Sequence, residues 1–214
     1  MNTTMLHSSA PREELAWVIA DIHQKGMAQG TGGNFSTVVQ TEPLRLLMSP
    51  SSVDKGKVLP SALIEVDRDG RVVQGEGKAS AETLLHLELV ATAGAKSVLH
   101  THSVLGTLLS MRSLAQGKLS FSGYEMLKGI EGVTTHETTV ELPVIENAQD
   151  MQVLSARVRT LLKAQPHMYG FLVAGHGLYA WGDSLFQARR HMEIFEFLME
   201  LTYRNLMLSN NIAK

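Results

Sequence analysis

Three histidines have the spacing expected of ligands to one metal ion. His100 and His102 are separated by one residue in a segment that reads as a β-strand, and side chains at positions i and i+2 point to the same face of a strand. His176 lies between two glycines at a turn, where little side-chain bulk would shield it. Three imidazoles leave a coordination position open for substrate, which is typical of catalytic zinc. Taken alone, the residues leave an accidental His-x-His and a plain Gly-His-Gly turn open.

The chain has no cysteine, so a thiolate metal site and a disulfide-stapled fold are both excluded. A metal would have to be held by histidine, aspartate or glutamate. The remaining histidines are interpreted as core or surface residues, and they are His7, His23, His86, His136, His167 and His191.

Three segments have the composition of anion-binding turns. Residues 31–36 form a glycine-rich turn in which Asn34 is a side-chain donor. Ser51 and Ser52 follow a strand, and Ser80 is placed to begin and cap a helix, where backbone amides favour an anion. Ordinary structural turns remain open at each position. Together the three segments indicate a phosphorylated substrate.

Two glutamates are candidates for proton transfer or metal contact. Glu82 lies in the first turn of a helix, where a negative charge complementing the helix dipole is a sufficient explanation. Glu125 has no periodic reason for its position in the segment 123–129. A surface carboxylate is the ordinary alternative for Glu125.

Apolar periodicity and turn signals predict one α/β domain with a mostly antiparallel sheet flanked by helices. Residues 1–11 are predicted to be a flexible tail and residues 12–214 a single catalytic domain. Helices are predicted at 12–30, 80–93, 104–111, 149–164 and 184–208, and a loop or short helix at 123–130. Strands are predicted at 35–39, 45–48, 63–66, 71–73, 96–101, 135–144, 170–174 and 178–181.

Composition argues against several other classes of protein. The formal net charge is −2, so there is no basic field for nucleic acid, and the lysines and arginines are too scattered for a polybasic membrane patch. No apolar run of about 18 residues is present, and Met1 to Arg12 lacks the apolar core of a signal peptide. We therefore expect a cytoplasmic enzyme that acts on a small molecule.

The motifs, taken in order, resemble the class II aldolase superfamily across nearly the whole chain. The resemblance implies a three-layer fold, phosphate contacts from Asn34, Ser51, Ser52 and Ser80, and one zinc ion per subunit held by the three histidines. The motifs are Gly33-Asn34-Phe35-Ser36, Ser49-Pro50-Ser51-Ser52, Ser80-Ala81-Glu82, His100-Thr101-His102 and Gly175-His176-Gly177.

Within that superfamily the chain is most similar to the sugar-phosphate dehydratases of methionine salvage. The segment Glu125-Met126-Leu127-Lys128-Gly129-Ile130 is the most specific part of this match. The resemblance implies that Glu125 is the acid–base residue and that the chain forms a homotetramer.

Two alternatives stay open. A sugar-phosphate aldolase or 4-epimerase would use the same metal and would place a functional glutamate at Glu82. A non-catalytic scaffold domain of the superfamily would need neither the histidines nor the anion-binding turns. Glu82 could be a metal ligand, a substrate contact or a helix-cap charge.

Overall fold

The structure is a computed structural model, and it describes residues 10–212. Within this part of the chain, five α-helices pack around one nine-stranded sheet. The strands are β1 Asn34–Thr41, β2 Leu44–Met48, β3 Ile64–Val66, β4 Val72–Gln74, β5 Ser97–Thr101, β6 Lys118–Phe121, β7 Val140–Ile145, β8 Gly170–Val173 and β9 Gly177–Gly182. The α-helices are α1 Ala10–Gln24, α2 Thr83–Ala93, α3 Val104–Ser113, α4 Met151–Ala164 and α5 Leu185–Ile212, and short 3-10 helices span Lys55–Lys57, Pro60–Ala62 and Glu125–Gly129.

The strand order in the sheet is β4-β3-β2-β1-β5-β9-β8-β7-β6. Every neighbouring pair is antiparallel except β7 and β8, which are parallel. The predicted fold class, a mostly antiparallel sheet flanked by helices, is therefore confirmed. In the centre of the sheet, Asn34 of β1 lies opposite His100 of β5, which lies opposite Tyr179 of β9.

Alternate strand residues are buried on opposite faces of the sheet, as the period of a strand requires. Val98 of β5 and Trp181 of β9 pack with α2 and α4, whereas Leu99 and Leu178 pack with α1, α3 and α5 on the other face. Both faces of the sheet are thus removed from water, and three layers result. Among the described residues, no helix is both long enough and apolar enough to cross a membrane.

Helix α1 ends earlier than predicted, at Gln24 instead of residue 30. Gly26 adopts a left-handed conformation, with φ 76°. Its N–H donates to His23 and the N–H of Met27 donates to Ile22, which is the hydrogen-bond pattern of a Schellman motif. The helix also includes positions 10 and 11, which the sequence assigned to the tail, and residues 1–9 lie outside the described part of the chain.

The start of α2 also differs from the prediction that Ser80 caps it. The helix begins at Thr83 and Glu82 is its N-cap residue. The Ser80 hydroxyl accepts a hydrogen bond from the Glu82 N–H, so residues 80–82 form a separate turn before the helix. As a result, the Glu82 carboxylate leads the helix.

Two strands near the sheet edge were mispredicted. Strand β6, Lys118–Phe121, was not predicted, because it has only two buried side chains, Leu119 and Phe121. Strand β7 begins at Val140 instead of residue 135, since residues 135–138 form a hydrogen-bonded turn.

Candidate metal centre

Four side chains from three parts of the fold converge on one point. His100 belongs to β5, His102 follows the end of β5, and His176 occupies the turn between β8 and β9. Glu82 approaches from the N-terminus of α2. One possible ligand atom from each of these residues lies within 4.8 Å of the others.

The ligand atoms face one another directly. His100 Nε2 lies 2.8 Å from His102 Nε2 and 3.3 Å from His176 Nε2. Glu82 Oε1 lies 2.9 Å from His176 Nε2 and 3.6 Å from His100 Nε2. Three ring nitrogens and one carboxylate oxygen therefore surround a volume of the size of a single ion.

The state of His100 is fixed by its second nitrogen. Nδ1 donates a hydrogen bond of 3.0 Å to the carbonyl of Leu178, which leaves Nε2 with a free lone pair directed at the centre. Burial lowers the pKa of His100 well below its ordinary value, and burial also lowers the pKa of His102. Neutral imidazoles are the form that binds a metal.

An orphaned carboxylate oxygen makes the same centre fit a cation. Burial alone would raise the pKa of Glu82, but the adjacent His176, together with His100 and Asn34, holds that pKa well below its usual range. Glu82 is thus ionised, and its Oε1 is buried with no hydrogen-bond donor among residues 10–212. A buried anion next to three lone pairs is costly unless a positive charge lies between them. The donor set of three imidazoles and one carboxylate therefore fits a divalent metal.

The turn that carries His176 is held by α3. Ser110 accepts a hydrogen bond from the N–H of Gly175, and the Thr107 hydroxyl donates to the carbonyl of His176. The His176 N–H also closes a turn onto Val173. This histidine is consequently positioned by a helix as well as by the two strands beside it.

The glycine-rich turn at residues 31–36 packs against the histidines. A Cβ at Gly32 would lie 2.8 Å from His102 Nδ1, which is too close for any other residue. The N–H of His102 donates to the carbonyl of Met27, just before the same turn. The turn therefore also supports the metal centre.

The three predicted anion-binding segments come together at one end of the sheet. The N–H of Ser51 donates to the carbonyl of Lys78, which joins the turn after β2 to the turn before α2. Ser51 and Ser52 are exposed, and Ser80 is partly exposed. Asn34 is different, since its side-chain amide already bonds to Glu82 and His86 and only its backbone is left for a ligand.

Lys55 is a buried cation between two of these segments that sequence reasoning missed. It is only 1% exposed, and its Nζ donates to the carbonyls of Thr31 at 3.1 Å and Val53 at 3.3 Å. No carboxylate of the described residues lies within ion-pair distance of Nζ, and burial lowers its pKa. A flanking pattern of Asp and Lys gave no sign of burial.

Glu125 is not brought into the cluster of four side chains. It is exposed at the start of the Glu125–Gly129 helix, where it pairs with Lys128 at 2.7 Å and His136 at 3.4 Å. The Lys128 hydrogen bond lowers the pKa of Glu125, so this carboxyl is ionised at neutral pH. Within one chain, Glu125 therefore faces solvent.

Two further residues around the centre were also missed. Tyr179 stacks on the His100 ring with centroids 3.9 Å apart, and its buried hydroxyl has no hydrogen-bond partner within residues 10–212. His86 was interpreted as a core or surface histidine, and it is fully buried one helical turn after Glu82. The i, i+4 spacing of Glu82 and His86 was the available signal.

Comparison with known proteins identifies the family. The sequence model for the Class II Aldolase and Adducin N-terminal domain matches residues 13–203. The chain belongs to the class II aldolase family. Among its relatives in this family, the methylthioribulose-1-phosphate dehydratase of Xanthomonas campestris pv. campestris (strain 8004) is 42% identical over 216 residues, with 97% of this chain and 98% of the relative covered. A protein of the same name from a Picosynechococcus species is 40% identical, with 97% and 98% covered.

Solved structures of the class II aldolase family share the fold. The L-fuculose-1-phosphate aldolase of Thermus thermophilus matches with a TM-score of 0.74 and 24% identity over 94% of this chain and 98% of that one. A sugar-phosphate aldolase from Thermotoga maritima matches with a TM-score of 0.66 and 19% identity over 94% and 97%. At these identities the likeness concerns the fold alone.

Proposed function

We propose that this chain is a metal-dependent dehydratase of methionine salvage. Its substrate is 5-methylthioribulose 1-phosphate, and its products are 2,3-diketo-5-methylthiopentyl 1-phosphate and water. The convergence of Glu82, His100, His102 and His176 on one point carries the proposal. The substrate is taken from the relatives, which bear that name at about 42% identity over nearly the whole chain.

The metal in this proposal is zinc, one ion per subunit. The three histidines would hold it through Nε2, and Glu82 would add a carboxylate oxygen. When bound, a divalent metal supplies Lewis-acid stabilisation of the negative charge that develops on substrate oxygens. Three neutral imidazoles suit zinc, and metal analysis of protein purified without an affinity tag distinguishes it from iron, cobalt or manganese.

The reaction removes a proton from C3 and a hydroxyl group from C4 of the substrate. Glu125 is the proposed base, because it is ionised and its carboxylate is accessible. Ser51, Ser52, Ser80 and the backbone at Asn34 would bind the phosphate and so fix C3 relative to the base. Exposed hydroxyls at one end of the sheet support this assignment.

Assembly as a homotetramer is part of the proposal. Glu125 lies apart from the four clustered side chains within one chain, so a base at this position would serve a centre in a neighbouring subunit. The exposed apolar side chains Val104, Leu108 and Met111 recur along one side of α3, directly after His102, and a second chain would cover them. Four chains per particle in native mass spectrometry is the expected result. Location in the cytoplasm stays a prediction.

The decisive experiment is a dehydration assay on the purified protein before and after metal removal. We expect loss of 5-methylthioribulose 1-phosphate to stop in chelator and to return with added zinc. Full activity after complete metal removal would contradict the proposal.

The position of Glu82 favours one second candidate, a sugar-phosphate aldolase or 4-epimerase. Such an enzyme would break or remake the C3–C4 bond with a glutamate at the metal, and Glu82 is at the centre. Release of dihydroxyacetone phosphate from a ketose 1-phosphate identifies the aldolase. Tight metal binding with no turnover of any sugar phosphate would instead identify a scaffold.

A further inference from the structure

A line of buried hydrogen bonds runs from the metal centre into the α2 side of the sheet. Glu82 Oε2 accepts a hydrogen bond from Asn34 Nδ2, and Asn34 Oδ1 pairs with His86 Nε2. His86 Nδ1 in turn pairs with the Ser36 hydroxyl at 2.7 Å. Asn34, Ser36 and His86 are all at most 4% exposed, so water cannot replace these partners.

Secondary structure alone brings these four residues together. Glu82 and His86 are four residues apart, at and just after the start of α2, so they lie on the same side of the helix. Asn34 and Ser36 are two residues apart on β1, so they lie on the same face of the sheet. The two pairs face each other where α2 crosses β1.

The chemistry of the two ends gives the line one direction. An ionised carboxylate only accepts hydrogen bonds, so Asn34 must present its NH₂ group to Glu82 and its oxygen to His86. His86 must then carry its proton on Nε2, and the Ser36 hydroxyl must donate to Nδ1. The opposite tautomer of His86 would turn the Asn34 oxygen towards the carboxylate, and the two would repel.

Glu82 has no other means of being oriented. As the N-cap residue of α2 it makes no capping hydrogen bond with its side chain. Within residues 10–212, Asn34 provides the only hydrogen bond to its carboxylate. Oε1 is directed at the histidines because Oε2 is held on the opposite side.

We propose that His86 is a positioning residue that, through Asn34, fixes the Glu82 carboxylate towards the metal. The inference rests on the proposed metal centre but not on the dehydration reaction. Burial supports it, since it lowers the pKa of His86 to about 4 and keeps the ring in the neutral form that both bonds require.

Cobalt binding tests the inference without any substrate. Cobalt(II) replaces zinc in sites of this kind, and its visible spectrum reports the ligands around it. We expect His86→Leu to weaken cobalt binding by about 10- to 100-fold, which is the usual effect of losing an outer partner, and to shift the spectrum in the same direction as Glu82→Gln. His191→Leu is the matched control, because His191 is equally buried and bonds to Trp181 and Glu131 instead.

Ser36→Ala is a second variant for the case that His86→Leu does not fold. It removes only the hydroxyl that fixes the His86 tautomer, and we expect a smaller loss of cobalt affinity in the same direction. In the double variant Glu82→Gln/His86→Leu, the His86 substitution should add little, because both changes act on the same carboxylate. Nitrogen NMR of the wild type should show His86 protonated on Nε2.

Three results would overturn the inference. They are wild-type cobalt affinity and spectrum in both His86→Leu and Ser36→Ala, an equal loss in His191→Leu, or a His86 ring protonated on Nδ1. A protein that binds cobalt in a His86-dependent way but does not dehydrate the sugar phosphate would refute the proposed reaction alone. A wild type that binds neither zinc nor cobalt would refute the centre and the inference together.

Discussion

Gly177 packs against the backbone carbonyl of Thr101, where β9 leaves the turn that carries His176. A Cβ at position 177 would overlap that oxygen and would also lie 3.3 Å from the Cα of His102. Two of the proposed ligands therefore depend on one backbone contact between β5 and β9.

Substitution of Gly177 by alanine should separate these two ligands. We expect Gly177→Ala to lower the free energy of unfolding by about 1–3 kcal/mol, the usual cost of overpacking, and to weaken zinc binding. Gly94→Ala is the control, since Gly94 has φ 70° but no atom within 4 Å of an added Cβ. The control should lose about 1–2 kcal/mol from its backbone conformation and should bind zinc normally. Chemical denaturation and a zinc competition titration give the two quantities, and unchanged zinc affinity in Gly177→Ala would contradict the expectation.

Removal of the metal should destabilise the folded protein. A ligand that binds only the native state stabilises it by about 2.7 kcal/mol at a free concentration 100 times its Kd. We expect zinc to raise Tm in the wild type but not in His176→Ala, whose zinc affinity should fall by at least about 100-fold. His167→Ala, at an exposed histidine after α4, is the control and should respond as the wild type does. An equal zinc response in His176→Ala would exclude this histidine as a ligand.

Substitution of Glu125 should abolish turnover and leave the metal in place. Glu125→Gln keeps the size of the side chain but cannot accept the C3 proton, and loss of a general base typically lowers the rate by about 10²- to 10⁴-fold. Glu141→Gln is the control, because Glu141 is also exposed and paired with a lysine, Lys118. Rate and zinc content are measured on the same preparations. Near-normal turnover of Glu125→Gln with zinc bound would remove it as the base.

Lys55 should matter for phosphate, because its buried charge joins two anion-binding segments. We expect Lys55→Met to weaken competitive inhibition by inorganic phosphate by about tenfold, near the value of one hydrogen bond to a charged group. Lys57→Met changes an exposed lysine two residues later and should have no effect. If both variants bind phosphate as tightly as the wild type, Lys55 serves the fold alone.

Glu196 should make the stability of the protein fall with rising pH. It is 6% exposed, burial raises its pKa, and the Thr101 hydroxyl donates to it at 2.9 Å. Because the folded state holds this proton more tightly, the stabilisation is complete below the pKa of the unfolded chain and is lost as pH rises through the folded pKa.

The variant Glu196→Gln should therefore be more stable than the wild type at about pH 8, and the difference should shrink towards about pH 4. Denaturation in chelator, at several pH values, measures this without interference from metal binding. Glu200→Gln, at an exposed residue one turn later on α5, should show no such trend. A pH-independent difference for Glu196→Gln would contradict the assignment.

The sequence carried the parts of the site that depend on short spacing. The His-x-His on an apolar strand and the Gly-His-Gly turn identified candidate ligands, because a strand and a turn position residues that are close in the chain. The alternation of apolar residues predicted most of the helices and strands for the same reason, and the mostly antiparallel sheet followed from the hairpin signals.

Contacts between distant segments could not be predicted in this way. Asn34 has the composition of an anion donor, but its side chain is taken up by Glu82 and His86 on a helix about fifty residues later. Lys55 resembles any surface lysine until Thr31 and Val53 enclose it. The early end of α1 depended on which of several glycines adopts the left-handed conformation, and apolar periodicity does not determine that.

The central position of β9 has a consequence for the order of events in folding. His176 meets the other proposed ligands only after β9 has inserted between β5 and β8. Since loop closure between such distant segments is slow, an ion cannot guide the early steps of folding. The metal would instead be captured by a chain whose sheet is already complete, so that newly made protein passes through a folded, metal-free stage before it becomes active.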